Sequence, residues 1–467
     1  MTCSRFVRAA AARNGQDPMT CSRFVRAAIL GTGLCCAVPA AAQLQLPQLP
    51  LQLPAIPQAP DLKSRIAPVT PRLEEVLDPR DLLELRRLTI RNLLQRHRDL
   101  IEADPAGEPI VRGEVVVLAP SPAALEAARA AGFTVARESA LEGIGERMVV
   151  LRAPQGMTTA AALLGLRRLD EPGRYDFNHL YLAAGQLRSA ATLAQRSEAR
   201  EPAARSQARG ARVTLGLIDG GVDLRHPALR HAGIRTYGCS GAEVPDVHGT
   251  GVASLLVGRA QGFAGAAPEA TLYAADVYCG QPTGGVATLL VEALAWMARE
   301  RVPVINISLV GPANKTLEHA LRVLIARGHV IVAAVGNDGP AAAPLYPAAY
   351  PGVIGVTAVD GRRIVLPEAL RGPQVSFAAP GADMATAASG SRGYTRARGT
   401  SFAAPLVAGL IAHAAEGAVA RIEISAVQRA IDALARSAID LGPPGRDDTY
   451  GFGLLGEDLR VDPLTLR

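Results

Sequence analysis

Four polar residues within positions 211–460 of the 467-residue chain have types suited to acyl transfer: Asp219 in LGLIDGGVD, His248 in HGTGVASLLVG, Asn337 in VIVAAVGNDGP and Ser401 in ARGTSFAAPLVAG. A serine nucleophile needs an imidazole to take its proton, and the imidazole needs a carboxylate to fix its tautomer. The oxyanion that forms needs a donor, and an Asn amide serves. Each residue alone also has a structural reading. An Asp at a strand end or a Ser before a helix is commonly a cap, and an Asn before Asp-Gly is commonly a turn residue. The set, in the order Asp, His, Asn, Ser, supplies every group the chemistry requires. No G-x-S-x-G elbow is present, which argues against an esterase built on that turn.

Such groups must be brought together by a rigid scaffold. Apolar runs predict strands at Val213–Ile218, Ile234–Tyr237, Thr271–Val277, Val304–Ile307, Val330–Ala334 and Val353–Val359, with helical patterns between most of them. That alternation predicts a parallel α/β sheet with ligands at the carboxyl ends of the strands. Asp219 and Asn337 fall near such ends, and Ser401 opens an apolar helical run.

Over about residues 211–455 the sequence resembles the subtilisin-like serine proteases. The resemblance rests on IDGGVD, HGTGVA, GFAGAAPEATLYAADV, VINISLVGP, VIVAAVGNDGP, YPAAYPGVIGVTAVD, FAAPGADM, GTSFAAPLVAG and YGFGLL. It implies a subtilisin-like parallel sheet flanked by helices, a triad of Asp219, His248 and Ser401, and Asn337 as oxyanion donor. It also implies that Ser308, Leu309 and Gly311 lie on a strand pairing with extended substrate, and that Gly280 to Gly285, with Gly284 among them, form the opposite rim. Asp338 and Leu345 are expected near the primary pocket. There Asp338 is either an attractor for a basic residue or, the favoured reading, a solvated rim charge; Leu345 shortens the pocket floor. The sequence departs from the family's usual pattern at several points. Gly220 stands where Ser or Thr is usual, Gly251 replaces the second His of HGTH, and Phe402 follows the nucleophile where Met is commoner. Val310 stands where the substrate strand often has Gly, narrowing a side-chain pocket, and Pro405 is followed by Leu406 where Pro-His is usual. Gly258–Gly265 lacks the Asn-rich loop that builds a calcium site in well-known members, so no metal or other cofactor is expected there; calcium elsewhere stays open.

Upstream, residues 113–185 show the rhythm βαββαβ of a small ferredoxin-like domain. Strands are read at Glu114–Leu118, Thr134–Ser139, Arg147–Leu151 and Tyr175–Tyr181. Helices open at Ser121-Pro122 and at Thr158 or Thr159. In the family such a module is a propeptide that assists folding and inhibits until cut. Residues 186–210, rich in Ala, Arg, Ser, Gln and Glu, are then the expected processing linker before a catalytic domain of 211–467. Residues 43–112 comprise a Gln/Leu/Pro-rich tether and an amphipathic helix with Leu83, Ile90, Leu94 and Ile101 on one face. Residues 1–42 hold a repeated MTCSRFVRAA; its second copy, from Met19, runs into an apolar stretch and the cleavage-like Ala40-Ala41-Ala42, as in a signal peptide. That stretch is too short for a bilayer span of ~20 residues. The expected mature protein is therefore secreted, periplasmic or extracellular, without a stable membrane span.

The whole formal charge of +6 falls in the first 210 residues, and residues 211–467 are neutral by count. A nucleic-acid partner is therefore not expected; the expected partners are extended polypeptides and the chain's own propeptide. Outside the leader only Cys239 and Cys279 occur, and with a secretion signal they favour a disulfide over a metal site. The resemblance places them at the ends of adjacent strands. A secreted serine endopeptidase made as a zymogen is the first reading. An acyl-transferring ligase or cyclase and a non-proteolytic peptide-binding protein on the same scaffold are the alternatives.

Overall fold

The computed structural model describes residues 79–171, 173–184, 186–188, 213–415 and 424–466. The expected signal peptide, the Gln/Leu/Pro-rich tether and most of the 186–210 linker lie outside these residues.

Helix α1 (Pro79–Arg96) buries Leu82 and Ile90. It ends earlier than the apolar spacing predicts, because His97–Leu100 turn and Ile101 opens strand β1 (Ile101–Ala103). Strand β2 (Pro109–Leu118) pairs back antiparallel on β1. The small domain therefore begins near residue 101 rather than 113. Gly113, at φ 72°, interrupts the apolar pattern, but a bulge carries the strand through it.

The rest of this domain follows the expected order. Helix α2 (Pro122–Ala130) is capped by the Ser121 hydroxyl with Pro122 at its first position. Strands β3 (Thr134–Leu141) and β4 (Glu146–Arg152) form a hairpin, helix α3 (Thr159–Leu169) is capped by Thr158, and β5 (Arg174–His179) closes the sheet. The lateral order β5-β2-β4-β3 is that of a ferredoxin-like plait. Alternation along β2 and β4 serves two cores. Val115, Val117, Val149 and Leu151 face α2 and α3, while Val116, Leu118, Met148 and Val150 join the core of the larger domain.

Two short strands follow, β6 (Leu182–Ala183) and β7 (Gln186–Arg188). The larger domain then runs through β8 (Thr214–Asp219), β9 (Gly233–Tyr237), α4 (Val247–Val257), the hairpin β10 (Arg259–Ala260) and β11 (Phe263–Ala264), β12 (Thr271–Asp276) and α5 (Ala287–Arg299). It continues through β13 (Val304–Ile307), β14 (Leu309–Val310), α6 (Lys315–Ala326), β15 (Val330–Ala334), β16 (Ile354–Val359), β17 (Val375–Pro380), β18 (Met384–Ala387), β19 (Tyr394–Arg398), α7 (Thr400–Ala414) and α8 (Ile424–Ser437).

Seven strands form one parallel sheet in the order β17-β16-β15-β13-β8-β12-β9. Strands such as β13 and β15 are buried at every residue, as a parallel sheet covered on both faces requires. Helices α4 and α7 pack on one another, as do α5 and α6, and the small domain's sheet rests on α5 and α6. The chain leaves β8 in one direction toward β9 and β12 and returns on its other side as β13. Asp219, at the carboxyl end of β8, thus sits at the reversal point where an open α/β sheet receives its ligand.

Candidate active site

Each member of the predicted quartet is placed by an element end. Asp219 closes β8 and is fully buried, with the Gly220 N–H donating to its Oδ1 at 2.7 Å. His248 lies in the first turn of α4, where the N-cap carboxylate of Asp246 accepts the N–H groups of His248 and Gly249. Ser401 is the second residue of α7, which starts after Gly399 at φ 134°, a conformation that favours glycine. Asn337 follows β15 through Gly336, at φ 105°.

The side chains meet. His248 Nδ1 lies 2.8 and 3.1 Å from the two Asp219 oxygens, and His248 Nε2 lies 2.9 Å from Ser401 Oγ. The Thr400 N–H donates to Asn337 Oδ1 at 3.1 Å, which turns the amide NH2 of Asn337 outward into the cleft. Pro405 within α7 has no N–H for the Ser401 carbonyl, and the Ser308 hydroxyl donates to that carbonyl instead, at 3.0 Å. This arrangement can pass a proton from Ser401 Oγ to His248 and stabilise the resulting imidazolium on Asp219.

The electrostatics suit that transfer. Burial pushes the Asp219 carboxyl above its ordinary range, against the pull of the His248 ring and the Gly220 N–H. Burial pulls the His248 imidazole down, but the charge and hydrogen bond of Asp219, with Asp246 behind, outweigh it and hold the ring above its ordinary value.

The cleft is filled by the chain itself. β6 pairs antiparallel with β14, placing Ala183 opposite Leu309 and Leu182 opposite Val310. The Ala184 N–H donates to the Ser308 carbonyl at 3.1 Å. The Ala184 carbonyl accepts from both the Ser401 N–H, at 3.2 Å, and the Asn337 side-chain amide. Beyond it, β7 pairs antiparallel with β19, with Gln186 opposite Arg398 and Arg188 opposite Arg396. Tyr181 is fully buried; its N–H donates to the Gly285 carbonyl and its hydroxyl to the Pro312 carbonyl, each at 2.8 Å. A Cβ on Gly311 would lie 2.7 Å from the Tyr181 ring, so the missing side chain there opens the pocket for it.

The family model for the Subtilase family matches residues 210–453, just over half the chain. The chain belongs to the subtilase family. It is 34% identical to subtilisin DY of Bacillus licheniformis over 212 residues, 44% of this chain and 77% of that one. It is 28% identical to the minor extracellular protease Epr of Bacillus subtilis over 53% of this chain and 38% of Epr. Among solved structures, fervidolysin from Fervidobacterium pennivorans has the same fold, with a TM-score of 0.61 at 21% identity, over 77% of this chain and 62% of that one. The chain thus spans well under half of Epr and less than two thirds of fervidolysin.

As a subtilase, the chain keeps the usual groups on the cleft floor and changes what surrounds them. A Cβ on Gly220 would lie within 2.7 Å of the Asp246 side chain, so the usual Ser or Thr is excluded by Asp246. Phe402 packs its buried ring 5.2 Å from that of His248, and a Cβ on Gly251 would already lie 3.6 Å from Phe402 and 3.3 Å from Thr386. Room for a side chain at Gly251 is thus limited first by Thr386, with the Phe402 ring in contact beside it.

Two expectations need amendment. Gly285, not Gly284, touches the bound segment; Gly284 lies against the Tyr278 backbone, where a Cβ would come within 2.5 Å. Asp338 is not a solvated rim charge. It is nearly buried and paired at 3.2 Å with Arg86 of α1, which also holds Glu108. Burial pushes its carboxyl up despite that guanidinium. Leu345 packs against Gly336, next to Asn337: a Cβ on Gly336 would meet it at 2.7 Å, with Leu370 and Val310 close behind. Sequence reasoning missed the strand β19, Arg86, Tyr181 and Tyr278. The one local signal was Tyr181–Ala184, which follows the small domain's last strand and precedes a polar stretch.

Proposed function

We propose that the chain is a secreted serine endopeptidase, made as a zymogen, that cuts itself between Ala184 and Gly185. The observation that carries this is the Ala184 carbonyl, which takes its hydrogen bonds from the Ser401 N–H and the Asn337 amide while the flanking segments are strand-paired on both sides. The chemistry follows from the groups around it. Ser401 Oγ adds to the Ala184 carbonyl carbon as its proton passes to His248 Nε2, and the oxyanion rests on Asn337 and the Ser401 N–H. The C–N bond to Gly185 then breaks, and His248 returns the proton to the departing amine. Water completes the cycle by the same route.

This moves the processing bond upstream of the 186–210 linker in which it was expected. Residues 79–184 then act as the propeptide and intramolecular inhibitor, and the enzyme begins at Gly185. Ala184 is a small residue, consistent with a primary pocket filled by Leu345 and Val310. Secretion is supported by the leader pattern of Met19–Ala42, and among the described residues no helix is long and apolar enough to cross a membrane. A disulfide between Cys239 and Cys279 is part of the same reading: their Cα atoms are 5.2 Å apart with the sulfurs at bonding distance.

N-terminal sequencing of the full-length product tests the proposal. Wild type is expected to yield a chain starting at Gly185, and Ser401→Ala to remain joined there, slowed by several orders of magnitude. Identical trimming in both would overturn self-processing. A fluorophosphonate that fails to label Ser401 in the trimmed protein would overturn the enzyme reading.

A further inference from the structure

The rim opposite β14 is built on Asp276, the last residue of β12. One oxygen of its carboxylate accepts the N–H groups of both Tyr278 and Cys279 at 2.9 Å, fixing the backbone of Tyr278 to the end of the central sheet. The chain then turns back through Gly284 and Gly285. A Cβ on Gly285 would lie 2.8 Å from the Tyr278 ring and 2.5 Å from the Tyr181 carbonyl oxygen. Side chains are thus missing where the phenol of Tyr278 must pass beneath the rim. Its hydroxyl donates to the Tyr181 carbonyl at 2.8 Å. At Tyr181, then, one rim holds both backbone groups: the Gly285 carbonyl takes the N–H and the Tyr278 hydroxyl grips the C=O.

Tyr181 is the fourth residue on the acyl side of the bond after Ala184. The geometry points to Tyr278 as a substrate-binding residue whose hydroxyl holds the main-chain carbonyl of the fourth residue in extended peptides. The inference rests on the endopeptidase reading of the cleft. Because the contact is to backbone, it acts on any peptide long enough to present that carbonyl, whatever its side chains. Burial also drives the phenol well above its ordinary pKa, so the group stays a donor across the working range.

The test compares Tyr278→Phe with wild type, both self-processed, on two p-nitroanilides. Acetyl-Leu-Ala-Ala-p-nitroanilide supplies the carbonyl through its acetyl group. 4-Methylpentanoyl-Ala-Ala-p-nitroanilide keeps the leucine side-chain carbons but ends one carbonyl short. Loss of one neutral hydrogen bond is expected to lower kcat/KM on the first about 5- to 10-fold, mainly through KM. The ratio on the second stays near one, which also shows that the variant is folded. Equal losses on both would make Tyr278 merely structural and overturn the inference, as would no loss on either. Wild-type enzyme that cleaved neither peptide would overturn the endopeptidase reading, and this inference with it.

Discussion

The floor of the cleft is positioned by main-chain hydrogen bonds at element ends, whereas its walls are shaped by volume and by partners from distant segments. On the floor, Gly220 N–H holds Asp219, Asp246 caps the turn bearing His248, Thr400 N–H orients Asn337, and the Ser308 hydroxyl satisfies the carbonyl that Pro405 leaves open. On the walls, Leu345 packs against Gly336, Gly311 vacates space for Tyr181, and the Tyr278 hydroxyl reaches across to the Tyr181 carbonyl. The floor tolerates little displacement, because proton transfer needs heavy atoms within hydrogen-bond reach. The walls can change residue by residue and alter only which chain is gripped.

The largest expected effect tests whether the two regions are mechanically separate. Cys239→Ser with Cys279→Ser unties the rim and, by closing no loop across a separation of 40 residues, lowers stability by about 3–4 kcal/mol at most. Thermal unfolding of the processed enzyme reads this, with thiol counting on denatured, unreduced protein as the check that wild type has none free. At a temperature where both remain folded, the rate of fluorophosphonate labelling of Ser401 is expected to match. A labelling rate that falls with the disulfide would mean that the rim supports the floor, and two free thiols in wild type would remove the bond altogether.

A smaller effect concerns the pocket wall. Ala184→Phe asks the precursor to seat a large side chain where Leu345 and Val310 crowd the space before Gly336. Overpacking of this kind costs about 1–3 kcal/mol, so self-processing should slow about 10- to 100-fold. Leu345→Gly on the Ala184→Phe background is expected to restore most of the rate, measured as the half-time of precursor loss on gels. Failure of that rescue would show that the pocket is limited elsewhere on the wall.

The same contrast explains what could be read from the sequence. The floor was legible because each group is a residue type with few other uses in that order, at a strand end or helix start marked by local pattern. Six of the seven central strands were found within a residue or two because they are short, mainly apolar runs: Val304–Ile307 is apolar except for Asn306 and buried throughout, whereas the edge strand β17 was not read. The walls were not legible, because their contacts join segments far apart in the chain. Asp338 looked like a solvated charge beside a turn, and only the fold brings Arg86 of α1 onto it. Nothing local to the sequence marks Tyr278, whose hydroxyl acquires a partner only when Tyr181 lies across the rim. The small domain's start was misplaced because Gly113 breaks the apolar run, while the bulge there continues the strand.

The smallest effect probes the boundary between floor and wall at Asp246, which fills the room left by Gly220 and caps the His248 helix. Its carboxylate also favours the imidazolium form of His248, after the larger influence of Asp219. General-base function needs the neutral ring, so activity should rise through an acid limb lying above the ordinary imidazole value of about 6.5. Burial is the influence that lowers His248, and departure of residues 181–184 reduces it, so processing does not reverse that sign. Asp246→Asn keeps a carbonyl oxygen to accept the same two N–H groups but removes the charge. The imidazolium is then less favoured, the proton leaves at lower pH, and the acid limb of kcat/KM moves down. Its shift is expected to be smaller than the one Asp219→Asn produces, with the pH-independent plateau little changed. A limb that stays in place while the plateau falls would assign Asp246 to the cap alone, and the field at His248 to Asp219.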